Sequence, residues 1–329
     1  MYWYALRRLG QAVFVVWAAF TVTFVILYLM PSDPAELIAG AGSQNGGAAT
    51  ADQVAALRHD LGLDRPMVMQ YLTHLADAVK GDWGRSYVSG QSVLSALGGA
   101  LPPTLTVAGI AVALAIVFGL LLGFAATYAR FQWLRGLLEA LPSIGASIPT
   151  FWTGLMLMEA FSFKVKLFPA FGDSGFKSDV LPSVVLAIPA GATLAQVLIR
   201  SMEDQLTEPY AATARAKGAS KLRVQLRHAG RVALLPVLTM LATLSGTLLA
   251  GTVVTETVFG RPGLGRLAVS SVSAEDLPVI QGIVIFAAGV FAVINLVADL
   301  VYPLVDPRVG RQHLGGRKRP AAPTVAATP

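Results

Sequence analysis

The sequence has no cysteine and only four histidines among its 329 residues. The absence of cysteine excludes disulfides, thiolate chemistry and Cys-based metal sites. The histidines all lie outside the long apolar runs, which excludes a histidine-based metal or redox site within a membrane; they are His59, His74, His228 and His313. The pattern G-x-x-x-x-G-K-[ST] is also missing, so the chain has no phosphate-cradling loop of its own for ATP hydrolysis. The sequence therefore predicts no catalytic residue, no metal and no cofactor.

Charge is scarce as well. Charged residues make up 13% of the chain and hydrophobic residues 54%, whereas about a quarter of a soluble domain is charged. Apolar runs long enough to cross a bilayer occur six times. These runs are Leu9–Met30, Thr104–Tyr128, Leu137–Phe163, Leu181–Ile199, Leu234–Val254 and Ile280–Leu304. The sequence predicts an all-α fold, a polytopic membrane bundle of six transmembrane helices in which prolines kink or shorten the third and fourth spans.

The first apolar run is predicted to stay on the protein as a span. A helix of its length reaches about 33 Å, enough for a bilayer core. The core of a signal peptide is shorter, and a small-x-small cleavage site would follow it, whereas "MPSDP" follows here.

The basic residues predict the orientation of the bundle. With the N-terminus in the cytoplasm, 16 of the 25 Lys and Arg residues lie on the cytoplasmic side of the six predicted spans. Because cytoplasmic loops are enriched in these residues, both termini are predicted to be cytoplasmic. The net charge is +6, but the basic residues that produce it flank the spans, so the charge does not indicate nucleic-acid binding.

Four regions follow from this pattern. Residues 1–30 hold the N-terminus and the first span, and residues 31–100 form an external segment with two short helices divided by Pro66. Residues 101–308 form a five-helix core that includes a cytoplasmic loop at 200–233. Residues 309–329 are predicted to be a disordered cytoplasmic tail, because they are rich in Pro and Ala and lack apolar periodicity. Within the core, Ala115, Gly119 and Gly123 recur every four residues, a spacing that lets membrane helices approach closely.

The most informative stretch is "PYAATARAKGASKLRVQLRHAGRVALLPVL", a basic island between the fourth and fifth spans. Its alanine-rich start predicts a short helix, which Gly218 ends as the residue after the cap. Ser220 is predicted to be the N-cap of a second helix that enters the fifth span. By charge alone, the loop is an ordinary positive-inside flank, but two capped helices are more than a bundle connection needs. A short helix with small residues is a shape that can dock in a groove of another protein.

This stretch resembles the cytoplasmic signature loop of permease subunits in binding-protein-dependent ABC importers. It is closest to the "Y-x-x-T-A-R-A-K-G" form of the oligopeptide, dipeptide and nickel subfamily. The generic Glu-Ala-Ala start is absent, since Ala212, Thr213 and Ala214 stand there. Further strings agree in the family's order, including "LGLDRPMVMQYL", "GDWGRS", "SIPTFWTGL", "ETVFGRPGLGRL" and "NLVADLVYPLVDPR". The long external segment is similar to that of the B-type subunit (dipeptide permease B).

The resemblance implies half of an importer in a bacterial inner membrane. A second permease would complete the path as a heterodimer, two cytoplasmic P-loop ATPases would drive it, and an external substrate-binding protein would deliver the substrate. The implied ATPase contact is the first helix of the loop, with alanines as the packing side and Arg215 and Lys217 as polar contacts. The residues carried over are Tyr210, Ala211, Ala214, Arg215, Ala216, Lys217 and Gly218. The resemblance leaves the substrate open among dipeptides, longer peptides, glutathione, nickel chelates and modified peptides.

Two other groups of residues are candidates for function. The glycine-rich segment after the fifth span is a candidate contact for the binding protein or an external turn; its residues are Gly260, Pro262, Gly263 and Gly265. Polar residues in the spans are candidates for a structural network or for the path; these are Glu159, Gln196, Asn295 and Asp299. A secondary transporter or channel coupled through Glu159 or Asp299 is the alternative function, because intramembrane carboxylates serve ion coupling in such proteins.

Overall fold

The computed structural model describes residues 2–29, 35–36, 38–39, 50–60 and 62–305. Within these ranges the regular elements are helices, and an isolated antiparallel bridge joins Arg85 to Ser92. The helices are α1 Tyr2–Tyr28, α2 Ala51–Asp60, α3 Met67–Lys80, α4 Val93–Tyr128, α5 Gln132–Ser147, α6 Thr150–Met158, α7 Phe176–Thr207, α8 Pro209–Ala216, α9 Lys221–Arg223, α10 Gly230–Val258, α11 Leu264–Ser273 and α12 Leu277–Val305, with π-helical turns π1 at Glu159–Lys164 and π2 at Val224–Ala229. The predicted all-α class is confirmed. The predicted tail at 309–329 lies outside the described residues.

Four described helices are long and apolar enough to cross a membrane. They are Leu6–Tyr28, Val93–Tyr128, Phe176–Thr207 and Leu277–Leu296. A fifth crossing is formed if Lys221–Leu241 and Gly246–Val258, which meet at 44°, act as one bent span. Pro182 and Pro189 lie inside α7 without dividing it, so the fourth predicted span is a single helix.

The third predicted span, in contrast, is divided between α5 and α6. Ile148 is extended, with φ −78° and ψ 125°, directly before Pro149. A residue that precedes proline is disfavoured in the helical region, so α5 ends there. The new helix, α6, begins right after Pro149 and continues into π1, and this continuous segment covers residues 150–164.

Helix α4 is longer than the apolar run that predicted it. It begins at Val93, within the predicted external segment, and continues through Pro102 and Pro103. The two prolines cannot donate to the carbonyls four residues earlier, which belong to Gly98 and Gly99. Both glycines are exposed, and the helix continues through the two prolines.

The core of the bundle is the contact between α4 and α7. A Cβ added at Gly119 would lie 2.8 Å from the Cβ of Leu194, and one at Gly123 would lie 2.7 Å from a methyl group of Leu198. Gly191 on α7 is also tightly packed, since its Cβ would lie 3.1 Å from the backbone oxygen of Ala115. The predicted small-residue stripe on α4 therefore forms a real close-packing face, and the two helices pack as a unit.

The segment between α1 and α4 packs against the bundle at two places. Tyr71 on α3 lies edge-on to Phe24 of α1, and its hydroxyl is 2.8 Å from the hydroxyl of Thr21. At the second place, Ser86 hydrogen-bonds to the buried carboxylate of Asp276 beside α12. Burial and the nearby Asp276 charge raise the pKa of Tyr87 to about 12. The two contacts fix this segment against both the first and the last helix of the bundle.

Candidate functional site

The polar loop between α7 and α10 folds as two capped helices. Pro209 occupies the first position of α8, where its missing N–H costs nothing. Gly218 has φ +83° after the helix, and its N–H donates to the carbonyl of Arg215 at 2.9 Å. The N–H of Ala219 donates to Ala214 O at 3.1 Å, which completes a Schellman motif. The predicted role of Gly218 as the residue after the cap is confirmed.

The second helix begins as predicted and then changes its winding. The hydroxyl of Ser220 accepts from the N–H of Arg223 at 3.4 Å, so Ser220 is the N-cap. The chain continues without a break through α9 and π2 into α10. The segment therefore shares one continuous helical backbone with the helix that forms the fifth predicted span.

Helix α8 is attached to the end of α7 by polar side chains. The Tyr210 hydroxyl donates to Gln205 Oε1 at 2.9 Å, and Arg215 Nη2 donates to the carbonyl of Leu206 at 3.3 Å. Partial burial and the charge of Glu208 raise the pKa of Tyr210, so its hydroxyl stays protonated and able to donate at neutral pH. These contacts hold α8 at a fixed angle to α7.

The two faces of α8 differ in exposure. Ala211 is fully buried against its own chain, and Ala214 is half-buried. Ala211 was predicted to pack against a partner, but its burial removes it from the surface. The side chains of Ala212 and Ala216, one turn apart, are exposed together with Lys217. The helix therefore presents a face with two alanines at its centre and cations at its C-terminal end.

A groove opens between α7 and α10 beside this helix, with a volume of about 470 Å³. It is adjacent to α8 through Gln205, which lines the groove and accepts the Tyr210 hydrogen bond. Hydroxyl and carboxamide groups share the lining with apolar side chains; the polar members are Ser201, Gln205, Thr239 and Thr243. The groove can thus hydrogen-bond a polar ligand without offering it a fixed charge.

The polar residues predicted within the spans are scattered. Glu159 is exposed in π1, and its carboxylate lies 3.6 Å from Lys164 Nζ. Gln196 is exposed on α7, and Asn295 donates to the carbonyl of Phe291 on its own helix at 2.8 Å. The side chain of Asp299 lies outside the described part of the chain. The described members of this set do not converge on one site.

A buried polar cluster, which we call the distal cluster, lies at the opposite end of the bundle from α8. It is defined by Thr104, Asp179, Glu256, Arg261 and Gly265. Glu256 is fully buried and accepts from the Thr104 hydroxyl at 2.6 Å and from the N–H of Gly265 at 2.7 Å. These donors belong to α4 and to the first turn of α11, where backbone N–H groups favour a carboxylate. Glu256 thereby joins α4, α10 and α11.

Arg261 forms the second half of the distal cluster. Its side chain is 2% exposed and lies 2.6 Å from the carboxylate of Asp179, whose side chain is 8% exposed. A second carboxylate, that of Asp173, lies 3.3 Å away, and its side chain is 44% exposed. The pair connects the end of α10 to the first turn of α7.

The glycine-rich turn is largely part of this cluster rather than a free surface. Gly263 and Gly265 are buried, and a Cβ at Gly263 would lie 2.2 Å from the carboxyl carbon of Glu256. Neither of these two glycines therefore offers a free surface to a binding protein in this structure. Pro262 is exposed and Gly260 is partly so, with φ +61° in a turn.

Gly265→Ala is expected to destabilise the fold by about 1–3 kcal/mol, the usual cost of overpacking. The new methyl group would lie 2.4 Å from the Cα of Val253, so the backbones of α10 and α11 would have to separate. The free energy of unfolding in mixed detergent–dodecyl sulfate micelles measures this effect. The matched control, Gly98→Ala, meets open space within α4 and is expected to stabilise by about 0.5–1 kcal/mol. An equal response of the two variants would contradict the close contact at Gly265.

The chain is similar to known membrane transport proteins over most of its length. Residues 115–311 match the family described as "Binding-protein-dependent transport system inner membrane component". Residues 1–108 match its companion, "Binding-prot-dependent transport system membrane comp, N-term". A protein of Brucella abortus (strain 2308), named as a peptide transport system permease protein, is 36% identical over 312 residues, which are 92% of this chain and 98% of the relative.

A second relative is the glutathione transport system permease protein GsiC of Salmonella typhimurium (strain LT2). It is 37% identical over 306 residues, which are 93% of this chain and 98% of the relative. Among solved structures, inward-facing conformations of the MetNI methionine ABC transporter match with TM-scores of 0.52 and 0.53 at 16% and 17% identity. Each match covers 64% of this chain and 97% of the other chain, and at this identity the likeness concerns the fold.

Proposed function

Because the chain belongs to the family of inner membrane components of binding-protein-dependent transport systems, we propose that it is a permease subunit of an ATP-driven ABC importer for peptides and that α8 is its contact with the ATPase. The permease role agrees with the helical bundle and its apolar spans. One relative is named as a peptide transport permease and another as a glutathione transport permease, and these names support a peptide-type substrate.

The proposed arrangement has six spans with both termini in the cytoplasm. The third crossing is formed by α5, α6 and π1 in succession, and the fifth by the bent helix that ends at Val258. This topology places α8 in the cytoplasm and the distal cluster on the outside, in agreement with the excess of basic residues in the loop. A second permease, as a heterodimer, then closes the path alongside the groove between α7 and α10.

The observation that carries this proposal is the construction of α8. The helix is stopped by a Schellman motif, tied to α7 by Tyr210 and Arg215, and exposes Ala212 and Ala216 on its outer face. Small exposed side chains on a rigid helix allow close insertion into a groove. In the proposed cycle, ATP closes a pair of cytoplasmic P-loop ATPases, α8 moves with them, and the attached helices change access to the groove. An external binding protein delivers the substrate.

The test is to express the tagged chain together with its neighbouring genes, solubilise it in mild detergent and identify what co-purifies. A stoichiometric P-loop ATPase, and dipeptide or glutathione uptake into proteoliposomes that depends on ATP, are the expected results. The alternative, a secondary transporter, requires uptake without an ATPase and its loss in Glu159→Gln or Asp299→Asn. The exposed ion pair of Glu159 with Lys164 gives no support to that alternative.

A further inference from the structure

The loop that follows α8 is fixed to α4 as well as to its own flanking helices. Gln225, in π2, is 1% exposed, and its Nε2 donates to the carbonyl of Phe124 at 2.8 Å and to the hydroxyl of Thr127 at 2.7 Å. Both acceptors belong to the last turns of α4. A side chain from the loop is therefore buried in the end of a helix almost a hundred residues earlier in the chain.

The orientation of the Gln225 carboxamide follows from its neighbours. The carbonyl of Phe124 can only accept, and the Thr127 hydroxyl already directs its single hydrogen to the carbonyls of Gly123 and Phe124. The hydroxyl can therefore only accept from Gln225, so both contacts require the NH₂ group. The Oε1 atom of Gln225 has no partner within the described residues. The side-chain hydrogen bonds that join Gln225 to α4 therefore all depend on its NH₂ group as donor.

Lys221 supplies a second attachment at the same helix end. Its Nζ donates to the carbonyl of Tyr128 at 2.7 Å and lies 5.1 Å from the centre of the Tyr128 ring. The last carbonyls of a helix lack partners within the helix and carry partial negative charge, so a lysine stabilises them. The loop thus provides a C-terminal cap for α4 from outside that helix.

The side chains around these hydrogen bonds are closely packed. Val224 and Ala229, on either side of Gln225, are fully buried. A Cβ at Gly230 would lie 2.7 Å from the carbonyl oxygen of Gln225 and 3.3 Å from the ring of Phe124. Helix α4 is in turn closely packed on α7 through its small-residue face. A displacement of the loop must therefore displace the end of α4 or break these contacts.

We propose that Gln225, assisted by Lys221, is a positioning residue that transmits the movement of α8 to α4, so that the second span moves with the loop when the ATPases close. This inference rests on the proposed function, because it requires an ATPase at α8. It adds α4 to the helices that move with the loop, although α4 does not flank the loop in the sequence.

Spin labels test this inference, because the chain has no native cysteine. One labelled pair, Leu222→Cys with Ala125→Cys, spans the contact at two exposed positions; the reference pair, Leu222→Cys with Val269→Cys, spans the bundle. Distances are measured in the full complex with its ATPases, before and after trapping with ATP and vanadate. We expect the contact pair to keep its distance distribution while the reference pair shifts.

Gln225→Met, which keeps the length of the side chain and removes both donors, is expected to make the contact pair shift on trapping and to lower the substrate transported per ATP hydrolysed. Thr127→Val removes one acceptor and tests the same contact from the α4 side if Gln225→Met does not fold. Arg227→Met, at an exposed neighbour, is the matched control and should behave as the native chain.

The outcomes separate the two proposals. Transmission through Gln225 is overturned by any of three results: the contact pair shifts in the native complex, the reference pair does not shift, or the Gln225→Met complex behaves as the native one. In each case the bound ATPase still supports the importer. Purification of the native chain without any ATPase overturns the proposed function, and the inference fails with it.

Discussion

Replacing Ala212 and Ala216 by glutamate is expected to remove the ATPase from the purified complex. Both alanines are exposed on α8, so the folded chain itself has room for larger side chains. Glutamate is a good helix former, so the helix should persist. In a docked helix, however, two carboxylates would be buried without partners at the centre of the interface. Two central positions at about 2 kcal/mol each correspond to a loss of affinity of roughly a thousandfold.

Co-purification at matched expression, followed by titration of the ATPase onto the detergent-solubilised permease, measures this loss. The control is Ala51→Glu with Ala55→Glu, which places the same pair of charges one turn apart on exposed positions of α2. The control should retain the ATPase fully. Normal ATPase binding by the α8 variant would show that the ATPase contacts some other surface, and the loop would then be a positive-inside flank.

The sequence predicted this loop well because its signals are local. A glycine that follows a helix with φ +83° and a serine that caps the next helix are each recognised from a few neighbouring residues. The outward face of α8 could not be predicted in the same way. Ala211 and Ala212 are chemically identical, and only the packing of α8 against its own chain decides that Ala211 is buried.

The spans were predicted from hydropathy, which records apolar length and not the continuity of backbone hydrogen bonds. Pro149 lies between α5 and α6 and separates them, whereas Pro182 and Pro189 lie within an unbroken α7. The residue before each proline decides the difference, since Ile148 takes an extended conformation and the residues before the other two remain helical. That choice depends on packing around the helix, which the sequence pattern does not display.

The sequence does not predict the distal cluster, although "ETVFGRPGLGRL" resembles a string typical of the family. The partners of Glu256 are Thr104, far away in sequence, and two backbone N–H groups that any residue could supply. The spacing of Gly263 and Gly265 was the available signal, because closely spaced glycines also mark places where a backbone approaches another group. These two glycines leave room for the buried carboxylate of Glu256.

Arg261→Met is expected to cost about 3–5 kcal/mol of the free energy of unfolding, the effect of leaving one member of a buried ion pair without its partner. Asp179 would keep a nearly buried carboxylate, whereas Asp173 would remain solvated. The double variant Arg261→Met with Asp179→Leu replaces both charges by apolar groups, and it is expected to recover most of the loss. The free energy of unfolding is measured in detergent–dodecyl sulfate micelles for the native chain, Arg261→Met, Asp179→Leu and the double variant.

The control for the loss of an arginine side chain is Arg266→Met in the same turn. Arg266 is exposed, and its guanidinium donates to the carbonyl of Gly260 at 2.6 Å. Loss of this surface hydrogen bond is expected to cost about 1 kcal/mol. If Arg261→Met were no more destabilising than Arg266→Met, the pair with Asp179 would not hold α7 to the end of α10. Recovery in the double variant would show that the charge left on Asp179, and not the lost volume of the arginine, causes the damage.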